Sequence, residues 1–240
     1  MTRTIKNVLT LGALLLAGGC GKAAPPVPAA PPKPVRVFAA ASLRELLTDI
    51  AAESVKRGGP TAQFQFEASS TLSRQIHEGA PADVFITAAP EWLDPLKILE
   101  RFDWLSNRLV LVVAKDAKDP DLMKLESLAL GGDQVPAGIY GRAALAFSKA
   151  PIPERTIYGG NVRDVLSKVS QGGAQAGIVY ATDAAVDPGV RVAHTFPPES
   201  HRKILYSAGL LTKDGKAFTD ALKDPWAKEI ARKRGFADLP

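Results

Sequence analysis

The sequence predicts an α/β protein with mainly parallel sheets, and three observations support this class. Strand-like and helix-like runs alternate along most of the 240 residues. The run at residues 35–41 is largely apolar without strict alternation, which is typical of a buried parallel strand. The same order of strand, small-residue turn and helix start recurs three more times. Ligands of such sheets bind at the carboxyl ends of the strands, beside helix N-termini.

The first 34 residues have the pattern of an export signal followed by a tether. Residues 1–19 carry basic residues, no acid and a short apolar run that ends in two glycines, which predicts a signal peptide. Cys20 follows at once and is the only cysteine. We expect either a lipidated Cys20, as in bacterial lipoproteins, or a plain secretory signal. Residues 20–34 are rich in Ala and Pro and predict an extended tether.

The positive charge does not indicate a nucleic-acid partner. Arg3, Lys6, Lys22 and Lys33 precede the globular part and supply four of the five net positive charges, so about +1 remains for residues 35–240. A nucleic-acid interface would require a concentrated basic face.

Ser42 stands where the first strand meets the first helix. Glu45 follows three residues later, so the pair has the form of a capping box. Leu46 and Ile50 continue with helical spacing. Two interpretations of Ser42 stay open at this point: it caps its own helix, or its hydroxyl and the free N–H groups of the first turn hold an anion.

A second strand and helix start follow at residues 63–76. The strand at 63–67 alternates between polar and apolar residues, which predicts one buried face. Ser69, Ser70 and Thr71 then open a helix. One cap needs one hydroxyl, so capping by Ser70 or Thr71 leaves Ser69 free to face outward. Further strands are predicted at 82–87 and 109–113, with a helix starting at Pro90.

The second half repeats the scheme. A short strand at 128–130 leads to a helix containing residues 143–145, and no glycine-rich nucleotide motif is present. Asn161 is a good N-cap and Asp164 suits the first turn, which leaves the Val162 N–H unpaired by its helix. A strand at 175–180 ends in Tyr180. Strands at 190–192 and 204–211 and a closing helix at 214–235 complete the chain.

From residue 35 to the C-terminus, the chain resembles the periplasmic molybdate-binding proteins of ABC importers. Six segments carry the resemblance in family order: Phe38-Ala39-Ala40-Ala41-Ser42-Leu43, residues 68–76, Gly79-Ala80-Pro81-Ala82-Asp83-Val84-Phe85, Val135-Pro136-Ala137-Gly138-Ile139-Tyr140, Asn161-Val162-Arg163 and Gly177-Ile178-Val179-Tyr180. The resemblance implies a type II periplasmic binding protein fold, with two lobes that close on an oxyanion. Lobe 1 would comprise residues 35–110 and 205–240, and lobe 2 residues 111–204.

The resemblance also implies the site. Ser42 and Ser69 would give hydroxyl and N–H donors from one lobe, while Ala137 and Val162 would give backbone N–H groups and Tyr180 a hydroxyl from the other. The ligand would be molybdate or tungstate, held without a cofactor and without a metal bound directly to the protein. The implied protein is a monomeric periplasmic receptor, anchored through a lipid on Cys20, that serves an ABC permease and its ATPase.

Two rival functions are less consistent with the sequence. A serine-dependent hydrolase is disfavoured because no G-x-S-x-G elbow surrounds Ser42, Ser69 or Ser148. The three histidines lack the spacing of metal ligands, so a metal-dependent enzyme is also disfavoured. No catalytic residue is therefore assigned. A receptor for another tetrahedral oxyanion, such as sulfate or phosphate, is the closer rival. None of the expected contacts is a carboxylate that could take a proton from phosphate.

Overall fold

A computed structural model describes residues 33–239. The predicted signal peptide, Cys20 and all but the last two residues of the predicted tether lie outside the described residues. Within 33–239, no helix combines the length and the apolar character needed to cross a membrane.

Ten strands and seven α-helices form the described part. The strands are β1 (Val35–Ala40), β2 (Ala62–Glu67), β3 (Val84–Thr87), β4 (Glu100–Ser106), β5 (Leu109–Ala114), β6 (Leu128–Gly131), β7 (Thr156–Gly159), β8 (Ala176–Tyr180), β9 (Val190–Thr195) and β10 (Leu205–Leu210). The helices are α1 (Arg44–Lys56), α2 (Ser69–His77), α3 (Pro136–Phe147), α4 (Val162–Ser170), α5 (Ala181–Ala184), α6 (Lys216–Lys223) and α7 (Pro225–Lys233).

The strands form two five-stranded sheets, in the orders β2-β1-β3-β10-β4 and β7-β6-β8-β5-β9. The α/β class is confirmed, but the sheets are mixed rather than mainly parallel. β1 and β6 pair in parallel with their neighbours, whereas β10 and β5 pair antiparallel with theirs. β5 and β10 enter their sheets directly from the other sheet, so no crossover helix imposes a parallel direction on them.

Each sheet and its helices form one lobe. Helices α2 and α6 contact strands of the first sheet, α7 packs against α6 and α1, and the second sheet is contacted by α3, α4 and α5. The chain leaves the first sheet after β4 and returns to it at β10. The two crossings expected near 109–113 and 204–211 stay a prediction. The proposed lobe boundaries at 110/111 and 204/205 themselves stay a prediction.

Three local predictions differ from the structure. Strand β4 was not predicted. The helix expected at Pro90 is only a 3-10 turn, Pro90–Leu93. The closing helix expected at 214–235 is broken into α6 and α7 because Asp224 is extended (φ −64°, ψ 146°) and Pro225 has no N–H to continue the helix.

Asp83 joins three parts of the first lobe through its carboxylate. One oxygen accepts from Arg36 Nη2 and Thr212 Oγ1, both at 2.8 Å. The other accepts from the Arg36 backbone N at 2.9 Å and from its Nε at 3.0 Å. These bonds, led by the one to the Arg36 side chain, lower the pKa of Asp83 from 3.8 to about 2. Asp83 is therefore a structural residue of the first sheet.

We expect Asp83→Asn to lower the free energy of unfolding at pH 7 by about 2 kcal/mol. Because the folded pKa of Asp83 lies below its unfolded value, this stability is present above pH 3.8 and is lost as the pH falls toward 2. Urea unfolding at pH 7 and pH 3 measures both effects. The control Asp94→Asn removes an exposed partner of Arg101 and should change stability by less than about 0.5 kcal/mol. Equal effects of the two variants at pH 7 would contradict this role.

Candidate oxyanion site

Ser42, Ser69, Ala137, Val162 and Tyr180 line one small cavity between the lobes. The other lining residues are Ala40, Ala41, Glu67, Ala68, Ala88, Val135, Pro136 and Asn161. The volume of this cavity is about 20 Å³, and one water needs about 10–15 Å³. The cavity therefore suits a small polar ion better than an amino acid or a sugar.

Ser42 does not cap its helix, so the capping-box prediction is wrong. A 3-10 turn, Ala41–Leu43, separates β1 from α1, and the N-cap position falls on Leu43. The inserted turn displaces Ser42 from the position at which its oxygen could reach the α1 N–H groups. Its Oγ lies 2.9 Å from Tyr206 Oη instead. Glu45, the other half of the predicted box, pairs with Arg163 of the second lobe.

Ser69 is the first residue of α2 rather than a residue before it. The N-cap is Ala68, and no side chain caps the helix. The expected capping by Ser70 or Thr71 is therefore not found, because both lie inside the first turn. Ser69 Oγ accepts a hydrogen bond from the Ala88 N–H at 3.0 Å. Since the oxygen is the acceptor in this bond, the Ser69 hydroxyl proton is left to donate elsewhere.

Helix α4 presents one unpaired N–H to the cavity. Asn161 is its N-cap, as predicted, and Oδ1 accepts from the N–H groups of Arg163 at 2.9 Å and Asp164 at 3.0 Å. No acceptor for the Val162 N–H is found within residues 33–239. The cap thus satisfies the two donors next to Val162 and leaves the Val162 donor for a ligand.

Helix α3 likewise leaves the Ala137 N–H without an acceptor in the described part of the chain. Pro136 has no N–H, and the N–H groups of Gly138 and Ile139 both bond to Val135 O. Ala137 is left with an N–H that has no acceptor in the described part of the chain. Gly138 permits this placement, because a Cβ there would lie 2.2 Å from Gly131 O and would push α3 away from β6.

Tyr180 carries a buried hydroxyl that has no hydrogen-bond partner among the described residues. The residue is 1% exposed, and its Oη makes no hydrogen bond to any residue of 33–239. Burial raises the pKa of this phenol well above 10, so it stays protonated and can donate at neutral pH. Leaving such a group unpaired costs about 1–3 kcal/mol, which a bound acceptor would recover.

The positive potential of the cavity comes from the backbone. None of the described lining residues is Lys or Arg, so the N-termini of α2, α3 and α4 supply the compensation for an anion. Glu67 also lies in the wall. Its Oε1 accepts from the Ala68 N–H at 2.8 Å and, across the cleft, from Asn161 Nδ2 at 2.5 Å. These two donors partly neutralise the carboxylate and hold the α4 N-terminus against the first lobe.

An ion triad closes the side of the cleft beside the cavity. Arg163 of α4 contacts Glu45 of α1 and Asp183 of α5, each at 2.5 Å. Asp183 is fully buried, and burial raises its pKa to about 6 even though Arg163 opposes the shift. The triad therefore ties the two lobes together through one guanidinium.

Sequence reasoning did not identify Glu67, Ala88 or Arg163 as parts of the site. The Ala88 N–H donates to Ser69 Oγ, and Ala88 O accepts from Tyr140 Oη at 3.2 Å across the cleft. Glu67 ends β2 and Ala88 directly follows β3, so the rule that ligands bind at carboxyl ends of strands was a usable signal for both. Arg163 gave none, because its partners lie on two other helices, Glu45 at a distance of 118 positions and Asp183 at 20.

The chain is similar to one protein family and to several known proteins. Residues 35–237 match the family described as bacterial extracellular solute-binding protein. The chain is 37% identical to the molybdate-binding protein ModA of Escherichia coli, over 84% of this chain and 88% of that protein. It is 32% identical to ModA of Haemophilus influenzae, over 85% and 89%. The solved periplasmic molybdate-binding protein of Azotobacter vinelandii superposes with a TM-score of 0.72 at 24% identity, over 86% and 99%.

Proposed function

Since the chain belongs to the family of bacterial extracellular solute-binding proteins, we propose that it captures molybdate or tungstate between its lobes for an ABC importer. One observation carries this proposal: several donors that have no acceptor within residues 33–239 lie around one cavity. They are the Tyr180 hydroxyl and the N–H groups of Ala137 and Val162. The hydroxyls of Ser42 and Ser69 join them at the same cavity wall.

This donor set suits a fully ionised tetrahedral dianion. Molybdate presents only acceptors at neutral pH, so every donor of the site can be satisfied without proton exchange. The backbone N–H groups of Ala137 and Val162 can only donate, so a ligand proton directed at either of them would find no acceptor. Sulfate has the same charge and shape as molybdate, so discrimination between them rests on cavity size.

The remaining parts of the proposal follow from the same role. The chain acts as a receptor rather than an enzyme, needs no cofactor, and works as a monomer in the periplasm or on the extracytoplasmic face of a membrane. Lipidation of Cys20 would anchor it there, and residues 22–34 would hold the folded part away from the lipid surface. A permease and its ATPase would receive the anion.

Calorimetric titration of the purified chain tests the proposal. Molybdate, tungstate, sulfate and phosphate are titrated separately in one buffer. We expect one-to-one binding of molybdate and tungstate, with at least about tenfold weaker binding of sulfate and phosphate, the fold-change for a loss of about 1.4 kcal/mol. Preferred binding of sulfate or phosphate would replace the proposed ligand, and no binding of any of the four anions would refute the receptor function.

Tyr180→Phe should separate binding from stability. The variant keeps the ring and removes a hydroxyl that has no partner in the described chain, so we expect the ligand-free protein to be as stable as the wild type or slightly more stable. Molybdate binding should weaken by about tenfold or more, because a hydrogen bond to a charged group contributes about 1.5–3 kcal/mol. Thermal unfolding and calorimetry measure the two effects.

The matched control is Tyr158→Phe, which removes a hydroxyl from a tyrosine that is 55% exposed on the second lobe. It should leave both the melting temperature and the affinity unchanged. A Tyr180→Phe variant that binds molybdate as well as the wild type would remove Tyr180 from the ligand contacts.

A further inference from the structure

A buried chain of hydrogen bonds leads from the crossing between the lobes to Ser42. Asn107 Nδ2 lies 3.2 Å from Tyr206 Oη, and Tyr206 Oη lies 2.9 Å from Ser42 Oγ. We infer that Asn107 and Tyr206 are positioning residues that turn the Ser42 hydroxyl proton toward the bound oxyanion. This inference rests on the proposed function and assigns a role to two side chains that do not line the cavity.

Asn107 determines which atoms donate and which accept along this series of hydrogen bonds. The Arg108 N–H donates to Asn107 Oδ1 at 2.8 Å. A backbone N–H can only donate, so the oxygen of the amide must face it and the Nδ2 group must face the other way. Nδ2 then donates to Thr182 Oγ1 at 2.9 Å and to Tyr206 Oη. Asn107 therefore acts on Tyr206 as a donor.

Tyr206 in turn acts as a hydrogen-bond donor to Ser42. Because its oxygen accepts from Asn107, its proton is available, and Ser42 Oγ is the one other hydrogen-bond partner of Tyr206 Oη within residues 33–239. Burial raises the pKa of the phenol, so it remains a neutral donor. Tyr206 is fully buried, and its ring packs edge-on against Phe236 at 5.4 Å between centroids. The hydroxyl is thus held in place.

The hydrogen bond from Tyr206 determines the orientation of the Ser42 hydroxyl. With Tyr206 as donor, Ser42 Oγ is occupied as an acceptor, and its own proton is the group left to point into the cavity. An oxyanion requires donors, so a Ser42 hydroxyl turned the other way would present a lone pair to the anion. Without Tyr206, the Ser42 hydroxyl would lose the bond that fixes its rotation.

A double-mutant cycle tests this role. Molybdate affinity is measured by calorimetry for the wild type, Tyr206→Phe, Ser42→Ala and the double variant. We expect Tyr206→Phe to weaken binding about three- to tenfold in the wild type, and less than about twofold in the Ser42→Ala background. The control cycle combines Tyr206→Phe with Ser69→Ala. Ser69 Oγ is bonded to the Ala88 N–H instead, so the full effect of Tyr206→Phe should persist there.

Asn107→Leu provides a second variant in the same series of hydrogen bonds. It removes the Nδ2 donor without adding a charge, so the Tyr206 oxygen becomes free to accept from Ser42, and the same loss and the same dependence on Ser42 are expected. If the effect of Tyr206→Phe or Asn107→Leu is as large in the Ser42→Ala background as in the wild type, or if neither variant changes affinity, the inference is wrong. Failure of the wild type to bind molybdate would refute the proposed function instead, and the wild-type titration separates the two outcomes.

Discussion

Replacing Val162 with proline is expected to weaken molybdate binding by at least about tenfold while leaving the fold intact. Val162 is the first residue of α4, where proline is favoured because its missing N–H has no helical partner. The preceding Asn161 is extended (φ −150°, ψ 176°), as a residue before proline must be. The substitution therefore deletes one N–H donor, and the proline ring occupies the space toward which that N–H points.

The control is Val162→Ala, which shortens the same side chain but keeps the N–H. It should cost some stability, because Val162 is 5% exposed, and should bind molybdate nearly as well as the wild type. Calorimetry gives the affinities and circular dichroism verifies the fold. Equal affinities of the proline and alanine variants would show that the Val162 N–H does not contact the anion.

Arg163→Met is expected to lower the free energy of unfolding by about 3–5 kcal/mol at pH 7.5. The substitution removes the partner of two carboxylates, one of which, Asp183, is fully buried. A buried carboxylate without a counter-charge must either remain ionised at high cost or take up a proton. The same variant also removes a link between the lobes, so molybdate binding should weaken as well.

The effect should depend on pH. The folded pKa of Asp183, about 6, lies above its unfolded value of 3.8. Ionisation of Asp183 therefore costs folded-state stability, and this cost appears as the pH rises from 3.8 through 6. Loss of Arg163 raises the pKa of Asp183 further and enlarges that cost. The difference between wild type and variant should accordingly be smaller at pH 5 than at pH 7.5, as measured by urea unfolding.

Lys168→Met is the matched control for this experiment. Lys168 lies on the same helix and pairs with Asp164, which is 40% exposed. Its removal should cost no more than about 0.5 kcal/mol at either pH. A similar small loss for Arg163→Met would contradict the account of the triad.

The sequence predicted the alternation of strands and helices because that alternation is local. Strand β4 escaped prediction because it mixes charged and aromatic residues, and its one sheet neighbour is β10, about a hundred positions away. The mixed sheets were missed for the same reason, since the direction of β5 and β10 depends on how the chain crosses between lobes. Only the break at Asp224-Pro225 had a local signal, because proline disfavours a helical residue before it.

The candidate site, too, could be predicted only in part from the sequence. N–H groups that lack a helical partner at the start of a helix can be recognised in the sequence. The family resemblance assigned Ser42 and Tyr180 to one site. Tyr206 and Arg163, which hold parts of the site in place, could not be recognised, because their contacts join segments far apart in the chain. Tyr206 meets Ser42 across 164 positions, and Arg163 meets Glu45 across 118.

The most direct test of the site is an anomalous difference map from crystals of this protein grown with tungstate. Tungsten scatters anomalously, so the map locates the anion without reference to any assumed contact. The account predicts one strong peak in the cavity lined by Ser42, Ser69, Ala137, Val162 and Tyr180, within hydrogen-bond reach of their donors through its oxygens. A peak elsewhere, or none at a tungstate concentration that saturates the protein in solution, would contradict the proposed site.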